Sequence, residues 1–314
     1  MNENDRSDHD QRFKTLLEVF WSDLLRLMAP HHAAKIEGEP EFWRQEHFTD
    51  LPQGERRSLD IVAKVRAAGE EEFVLVHVEV EGQYRSEFPE RMWQYFMQLF
   101  LRHGRPVLPL AIYLKGGPPG LQVSESRLSF LGEEISRFRF YSLGLSGASA
   151  EDFLARPEAL AVGLASLMRF SRGSPAEHKL ACFRRLATQG LKPAQQMLLL
   201  DCVQAYLPLE GALYEEFQDL LQNEPQPEVR NMELSWSEKL REEGREEGRE
   251  EERRAALGGF RALFLRACEL RGLSLSEAQR EMLSACDDRA QLQSWNERAL
   301  TATSSDEIFQ PSAP

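Results

Sequence analysis

Two short stretches, SLDIVAKVR (58–66) and FVLVHVEVE (73–81), alternate so regularly that they constrain the fold more than any other part of the chain. Successive side chains of a strand point to opposite faces. Leu59, Ile61, Ala63 and Val65 therefore share one face, and Asp60, Val62, Lys64 and Arg66 the other. In the second stretch Val74, Val76, Val78 and Val80 line up opposite Leu75, His77, Glu79 and Glu81, with Gln83 joining that set if the strand continues. The residues around Gly69-Glu70 predict a turn, and a symmetric hairpin about it pairs residues whose numbers sum to about 139. Asp60 then stands across from Glu79, with Cβ atoms about 4.5–5.5 Å apart. Two carboxylates that close repel, so the arrangement needs either surrounding water or a cation.

The flanking patterns place this hairpin in a mixed α/β architecture. Phe13, Leu16, Leu17, Phe20, Leu24, Leu27 and Met28 recur at helical spacing and predict an amphipathic helix ended by Pro30. Residues 45–51 read as a strand that makes a three-stranded antiparallel start with the hairpin. Residues 90–103 read as a helix with Met92, Tyr95, Phe96, Leu99 and Phe100 inward, and PVLPLAIYL (106–114) as a buried strand. Helix followed by strand implies a crossover onto the same sheet. GGPPG (116–120) is a loop, and 138–143 is one more strand.

Past residue 150 the strand signals stop. Helices can be drawn to residue 221, followed by a charged helix at 232–254 whose core is REEG-REEG-REEE (241–252). Arg241, Arg245 and Arg249 form one stripe and Gly244 and Gly248 another, with Glu to Arg pairs available at i+3 and i+4. This arm is a solvated spacer, or a self-association helix whose glycine stripe permits close approach. Amphipathic patterns at 260–270, 277–285 and 291–300 predict a small helical module with a frayed tail from Thr301.

Charge limits the partners. With 51 Asp+Glu against 38 Lys+Arg the net charge is −13, so any contact with nucleic acid is local. Residues 54–115 are balanced, with nine residues of each sign by direct count. No run of about 20 apolar residues suggests a membrane span, and the polar, acidic N-terminus does not read as a secretory signal, so the expected location is the cytoplasm. The four cysteines form no CxxC pair. His178 and Cys182 could put two ligands on one helical face, but no second pair completes a zinc set, and buried thiols are the expectation.

The chemistry therefore rests on the hairpin. Asp60, Glu79 and the carbonyl of Val80 could provide part of an octahedral oxygen shell for Mg²⁺ (or Mn²⁺). The plainer alternative is a wet face where both acids are screened or paired with Lys64, Arg66 or Arg91. Asp10 and Lys14 lie one turn apart on the first helix, as a cap and a surface lysine or as parts of the site. Glu46 could approach it, and His77 shares the face of Glu79 as a ligand, a proton shuttle or a packing residue. Arg91 could meet a phosphate, or pair with Glu87 or Glu90. No phosphate loop or GxGxxG is present.

HDQRFKTLLEVF (9–20), RRSLDIVAKV (56–65), VLVHVEVEGQ (74–83), FPERMWQYF (88–96) and RPVLPLAIYL (105–114), taken in order, resemble the Rpn family of recombination-promoting nucleases, also called YhgA-like transposases, of the PD-(D/E)XK superfamily. The REEG arm and following module resemble the C-terminal region often attached to such chains. The resemblance implies a PD-(D/E)XK, restriction-endonuclease-like mixed sheet flanked by helices at 8–150, a helical extension at 151–230, the charged arm at 231–256 and the small module at 257–309. It also implies a Mg²⁺-dependent DNA endonuclease in which Asp60 and Glu79 are the metal-binding carboxylates. The third position of the motif, Lys in the superfamily and often Gln in this branch, is Glu81 here. Glu81 would act as a ligand or base, with Gln83 as a weaker candidate to orient water. The rival expectation is a nuclease fold with a degraded site serving as an interaction or scaffold protein. Homo-oligomerisation is expected, if anywhere, through the arm. Transposase activity has no independent support, since no helix-turn-helix is evident.

Overall fold

Strands β4 (Ile61–Ala67) and β5 (Val74–Glu81) form the antiparallel centre of the protein, paired from Ile61↔Val78 to Val65↔Val74. Each pair sums to 139, the register set by the alternation. A computed structural model describes residues 13–43, 47–48, 57–58, 60–68 and 73–309. On the other side of β4 lies β1 (Ile36–Trp43), antiparallel and bulged between Glu37 and Glu41. The three-stranded antiparallel start is therefore present, but 36–43 supplies its outer strand in place of 45–51. IEGEPEFW does not look like a strand because three glutamates, Gly38 and Pro40 dilute it; an edge strand tolerates these, since one row of donors is unpaired anyway. Of 45–51, only β2 (His47–Phe48) is described, paired with β3 (Arg57–Ser58) as a separate ribbon.

Helix α4 (Phe88–His103) starts with Pro89 in its first turn and ends at Gly104, whose φ of 62° is the left-handed cap that glycine adopts readily. Its buried stripe is Phe88, Met92, Tyr95 and Leu99. Phe100 lies one residue, about 100°, off that stripe and is exposed, not inward as its apolar character suggested. The helix carries the chain to β6 (Val107–Tyr113), parallel to β5 as the crossover requires. Strand β8 (Glu133–Gly144) runs parallel to β6, and β7 (Gly120–Phe130) pairs antiparallel with β8, giving the order β1-β4-β5-β6-β8-β7. Only 138–143 of this last hairpin was legible. LQVSESRLSF is too polar to announce a strand, and its turn uses Leu131-Gly132, both at positive φ, where Asn-Gly is the usual signal.

At the N-terminus the expected single helix is two, α1 (13–19) and α2 (Trp21–Met28), broken at Phe20. Pro30 does not only end the run. It opens the short α3 (Pro30–Ala33), because a missing N–H costs nothing in a first helical turn. Leu16, Leu17, Leu24 and Met28 share one buried apolar core with Val76, Val78, Leu110 and Ile112. Helices α5 (Ala150–Leu154), α6 (Leu160–Ala165), α7 (Pro175–Ala187), α8 (Pro193–Tyr206) and α9 (Ala212–Gln222) follow. The change from strand to helix falls near residue 150 as read, but Val162, Phe183 and Val203 join the same apolar core as the sheet. Cys182 and Cys202 are buried thiols whose acidity burial suppresses. His178 is buried and stacked on Phe170 at 4.5 Å, so it is a packing residue.

The chain divides into two compact units, 1–236 and 237–314. Helix α10 (Pro227–Leu270) contains the REEG repeat as one continuous helix. Its expected charge pairs form at Glu242–Arg245 (3.6 Å), Glu250–Arg253 (2.9 Å) and Glu250–Arg254 (3.0 Å), all solvent-exposed and individually worth little. In the second unit α11 (Glu277–Ala285) and α12 (Arg289–Ala299) follow the predicted pattern. The tail is not frayed through Phe309: α13 (Ser305–Phe309) buries Ile308 and sets Phe309 4.8 Å from Trp295. No described helix is long and apolar enough to cross a membrane.

Leu110→Ala, at a fully buried position, should cost about 2–5 kcal/mol in urea denaturation, while Leu101→Ala on the exposed side of α4 should stay within about 0.5 kcal/mol. Burial also holds the imidazole of His178 below its ordinary pKa of 6.5. The unfolded chain then binds the extra proton first, so the stability this residue contributes is complete above about pH 6.5 and declines as the pH falls below it. His178→Phe should flatten the acid side of a stability–pH profile; an unchanged slope would assign that loss to other groups.

Candidate active site

The end of the β4–β5 ladder brings the sequence-selected acids together. Odd residues of β5 bond toward β6, as Leu75 N–H to the Pro106 carbonyl (2.8 Å) and Leu114 N–H to the Glu81 carbonyl (2.9 Å) show. Even residues therefore turn their main chain toward β4, and the N–H of Val80 donates to Asp60 Oδ2 at 2.8 Å. The N–H of Asp60 in turn donates to Glu79 Oε1 at 3.2 Å. Each carboxylate is thereby held by a main-chain donor of the opposite strand.

The face on which they sit is not open water. Glu79 is only 6% exposed and His77 fully buried, beneath α4, with the His77 ring 5.8 Å from that of Tyr95. His77 Nε2 lies 2.8 Å from Glu79 Oε1, and Nδ1 has no partner among the described residues. The ring thus holds Glu79 Oε1 together with the Asp60 N–H. Glu79 is close-packed on one side and adjoins a second acid on the other, an environment that favours a nearby positive charge.

Two cations supply it. Lys14 on α1 reaches Asp60 Oδ1 at 2.8 Å, which makes it part of the site and not simply a surface lysine. Arg91, in the first turns of α4, pairs with Glu81 instead of Glu87 or Glu90, and its guanidinium lies over the Phe88 ring at 4.8 Å. The third motif position thus holds a neutralised pair and not a bare acid. Gln83 does not join the set: β5 ends at Glu81, and the Gln83 amide lies beside Gly116 in the neighbouring loop. Lys64 pairs with Glu41 of β1 at 2.9 Å, away from Asp60. Tyr113, next to Glu81 across the β5–β6 pair, has its phenol pushed above its ordinary pKa by burial and stays neutral. Asp10 and Glu46 lie outside the described residues.

No three His, Cys, Asp or Glu side chains among the described residues converge as a metal cluster. The oxygens that could hold a cation are those of the Asp60 and Glu79 carboxylates, each anchored by a main-chain N–H. That set suits Mg²⁺, which is commonly held by one or two carboxylates and keeps several waters. The bonds from His77, Lys14 and Arg91 were not fixed by spacing. The shared face of His77 and Glu79 was the available signal for the first, and the position of Lys14 one turn after Asp10 for the second.

No family model, curated protein or solved structure matches the chain.

A double-mutant cycle should show the Lys14–Asp60 link as an energetic one. Lys14→Met and Asp60→Asn together should destabilise by less than the sum of the single changes, with a coupling of about 0.5–3 kcal/mol in urea denaturation. Strict additivity would mean the pair is not held in solution.

Proposed function

We propose that the chain is a divalent-metal-dependent DNA endonuclease of the Rpn type, on a PD-(D/E)XK-like sheet, hydrolysing phosphodiester bonds. One observation carries the reading: Asp60 and Glu79 are each held by a main-chain donor of the opposite strand, half under α4, with Lys14 and Arg91 flanking them. Two acids held this close in a partly buried position form a set of hard oxygen donors that a divalent cation would neutralise. The resemblance of the five segments to the Rpn family adds the reaction class.

In this reading Asp60 and Glu79 hold Mg²⁺ or Mn²⁺, which when bound supplies Lewis-acid activation of water and charge neutralisation at the phosphate. The chain's own groups do the positioning. Val80 N–H and Asp60 N–H orient the carboxylates, and His77 holds Glu79 Oε1 in place. Lys14 is the ammonium nearest the scissile group, in the role that a strand lysine fills elsewhere in the superfamily. Arg91, steered by Glu81, offers a guanidinium to a phosphate oxygen. Because Lys14 already occupies Asp60 Oδ1, ammonium and metal compete for that oxygen.

That same bond favours a second reading, a nuclease-fold scaffold whose first acid is permanently closed by Lys14. Calorimetric titration with Mn²⁺ separates the two. A nuclease should show heat that vanishes in Asp60→Ala and Glu79→Ala, and Lys14→Met should bind the ion several-fold tighter while nicking supercoiled DNA more slowly. Absence of Mn²⁺ heat in both wild type and Lys14→Met would leave the scaffold.

A further inference from the structure

The β7–β8 hairpin leaves the sheet before it ends. Strand β8 bonds to β6 only from Tyr141 to Gly144, whereas its pairing with β7 continues to Phe130↔Glu133. Its outer half is a two-stranded ribbon, a form only marginally stable in water unless something packs on it. Helix α4 covers part of the inner face through Trp93 and Phe96 on Phe138. Beyond that Val123, Leu128, Phe130 and Ile135 are exposed, and Leu131 at the tip is 90% exposed at a φ of 49°. A strained, bare leucine where asparagine or glycine would serve better is an uncommon choice.

Strand β7 is also the end of the sheet, and among the described residues no main-chain group of 121–130 bonds beyond β8. The irregularity in this hairpin adds a residue to β8, where Leu128 faces Ser136 and Ser129 faces Glu134, so the open edge itself is unbroken. It contains no proline. Edges of this kind pair with another strand unless guarded.

The charges on the edge say which strand. Glu125 and Arg127 flank Ser126 on the face away from α4. If a second β7 lies antiparallel with a two-fold axis at Ser126, Glu125 of each copy faces Arg127 of the other. The same register sets Leu131 against Leu121, Phe130 against Gln122 and Leu128 against Ser124, covering the exposed apolar residues. Moving the axis one face-preserving step either way puts Glu125 on Glu125 or Arg127 on Arg127, so the charges favour the register at Ser126 over both of its neighbours. The ribbon's six charged side chains, Glu125, Glu133, Glu134, Arg127, Arg137 and Arg139, balance to zero, which disfavours nucleic acid as the occupant.

We infer that β7 is the interface of a two-fold homodimer, joining the sheets of two copies edge to edge through Ser126. The interface is isologous and closes on itself, so assembly stops at two. Opposed residues of an antiparallel pair have Cα atoms about 4.5 or 5.5 Å apart, within the range a disulfide spans.

The full-length chain is tested by analytical ultracentrifugation and by cysteine trapping. Wild type should sediment as a dimer at tens of micromolar, and Ser126→Cys should form a reducible covalent dimer under mild oxidation. Ser129→Cys, which would face Val123, should cross-link no more than wild type, whose own Cys286 sets the background. Arg127→Glu or Glu125→Arg alone should raise the dimer dissociation constant at least tenfold with unchanged circular dichroism, and the two together should restore most of it. A monomeric wild type would overturn the inference, as would equal trapping at 126 and 129. A dimer indifferent to both charge reversals would place the contact elsewhere.

Discussion

Everything at the candidate site follows from the register of β4 against β5. Side chains in a strand have a period of two, so a slip of one residue would turn the valines outward and carry Asp60, His77 and Glu79 into the core. Magnitudes show which tendency wins. Each fully buried valine or leucine contributes about 1.5–3 kcal/mol, and Ile61, Ala63, Val65, Val76 and Val78 are all buried on the inner face. Two unit charges about 5 Å apart at an effective dielectric near 20 repel by about 3 kcal/mol. The apolar ladder therefore fixes the register whether or not the acids repel, and the surroundings must accommodate the result.

They do so with bonds of different kinds. Asp60 takes one main-chain N–H and one ammonium; Glu79 takes one main-chain N–H and an imidazole. The main-chain donors are rigid parts of the ladder and cannot leave without breaking it. Lys14 is on a flexible stem and about a quarter exposed, so it is the one partner of Asp60 that can be exchanged. A site with fixed donors behind and a replaceable cation in front is suited to trading that cation for another. Glu81 changes meaning in the same light. As a bare acid it would repel a phosphodiester, but joined to Arg91 it presents a dipole whose positive end lies on α4.

The sheet's centre and the acid pair were legible in the sequence because valine alternation is a strong, local signal. The two edge strands were not. Ile36–Trp43 carries three glutamates, and Gly120–Phe130 alternates serine with mixed residues; neither must bury both faces, so neither needs an apolar pattern. The same reasoning explains Phe100, apolar but off the buried stripe of α4. Partners contributed by distant elements were the other blind spot. Lys14 and Asp60 are 46 positions apart, and only the packing of α1 on the sheet brings them together. Arg91 had Glu87 and Glu90 within reach by number, and the fold paired it with Glu81 on the strand instead.

The two sheet edges are not equivalent, and this bears on how site and surface coexist. Strand β1 has Pro40, a bulge, and Glu37, Glu39 and Glu41, so a second copy aligned there would meet missing donors and like charge. Strand β7 has none of these guards. It lies three strands from β5, roughly 14 Å at the usual inter-strand spacing. Pairing through β7 would extend the sheet away from Asp60 and Glu79, leaving Lys14 free to move and the approach from β4 unobstructed. An interface on β1 would instead abut β4 itself, beside the acids. The chain has left unguarded the edge whose occupation does not interfere with its carboxylates.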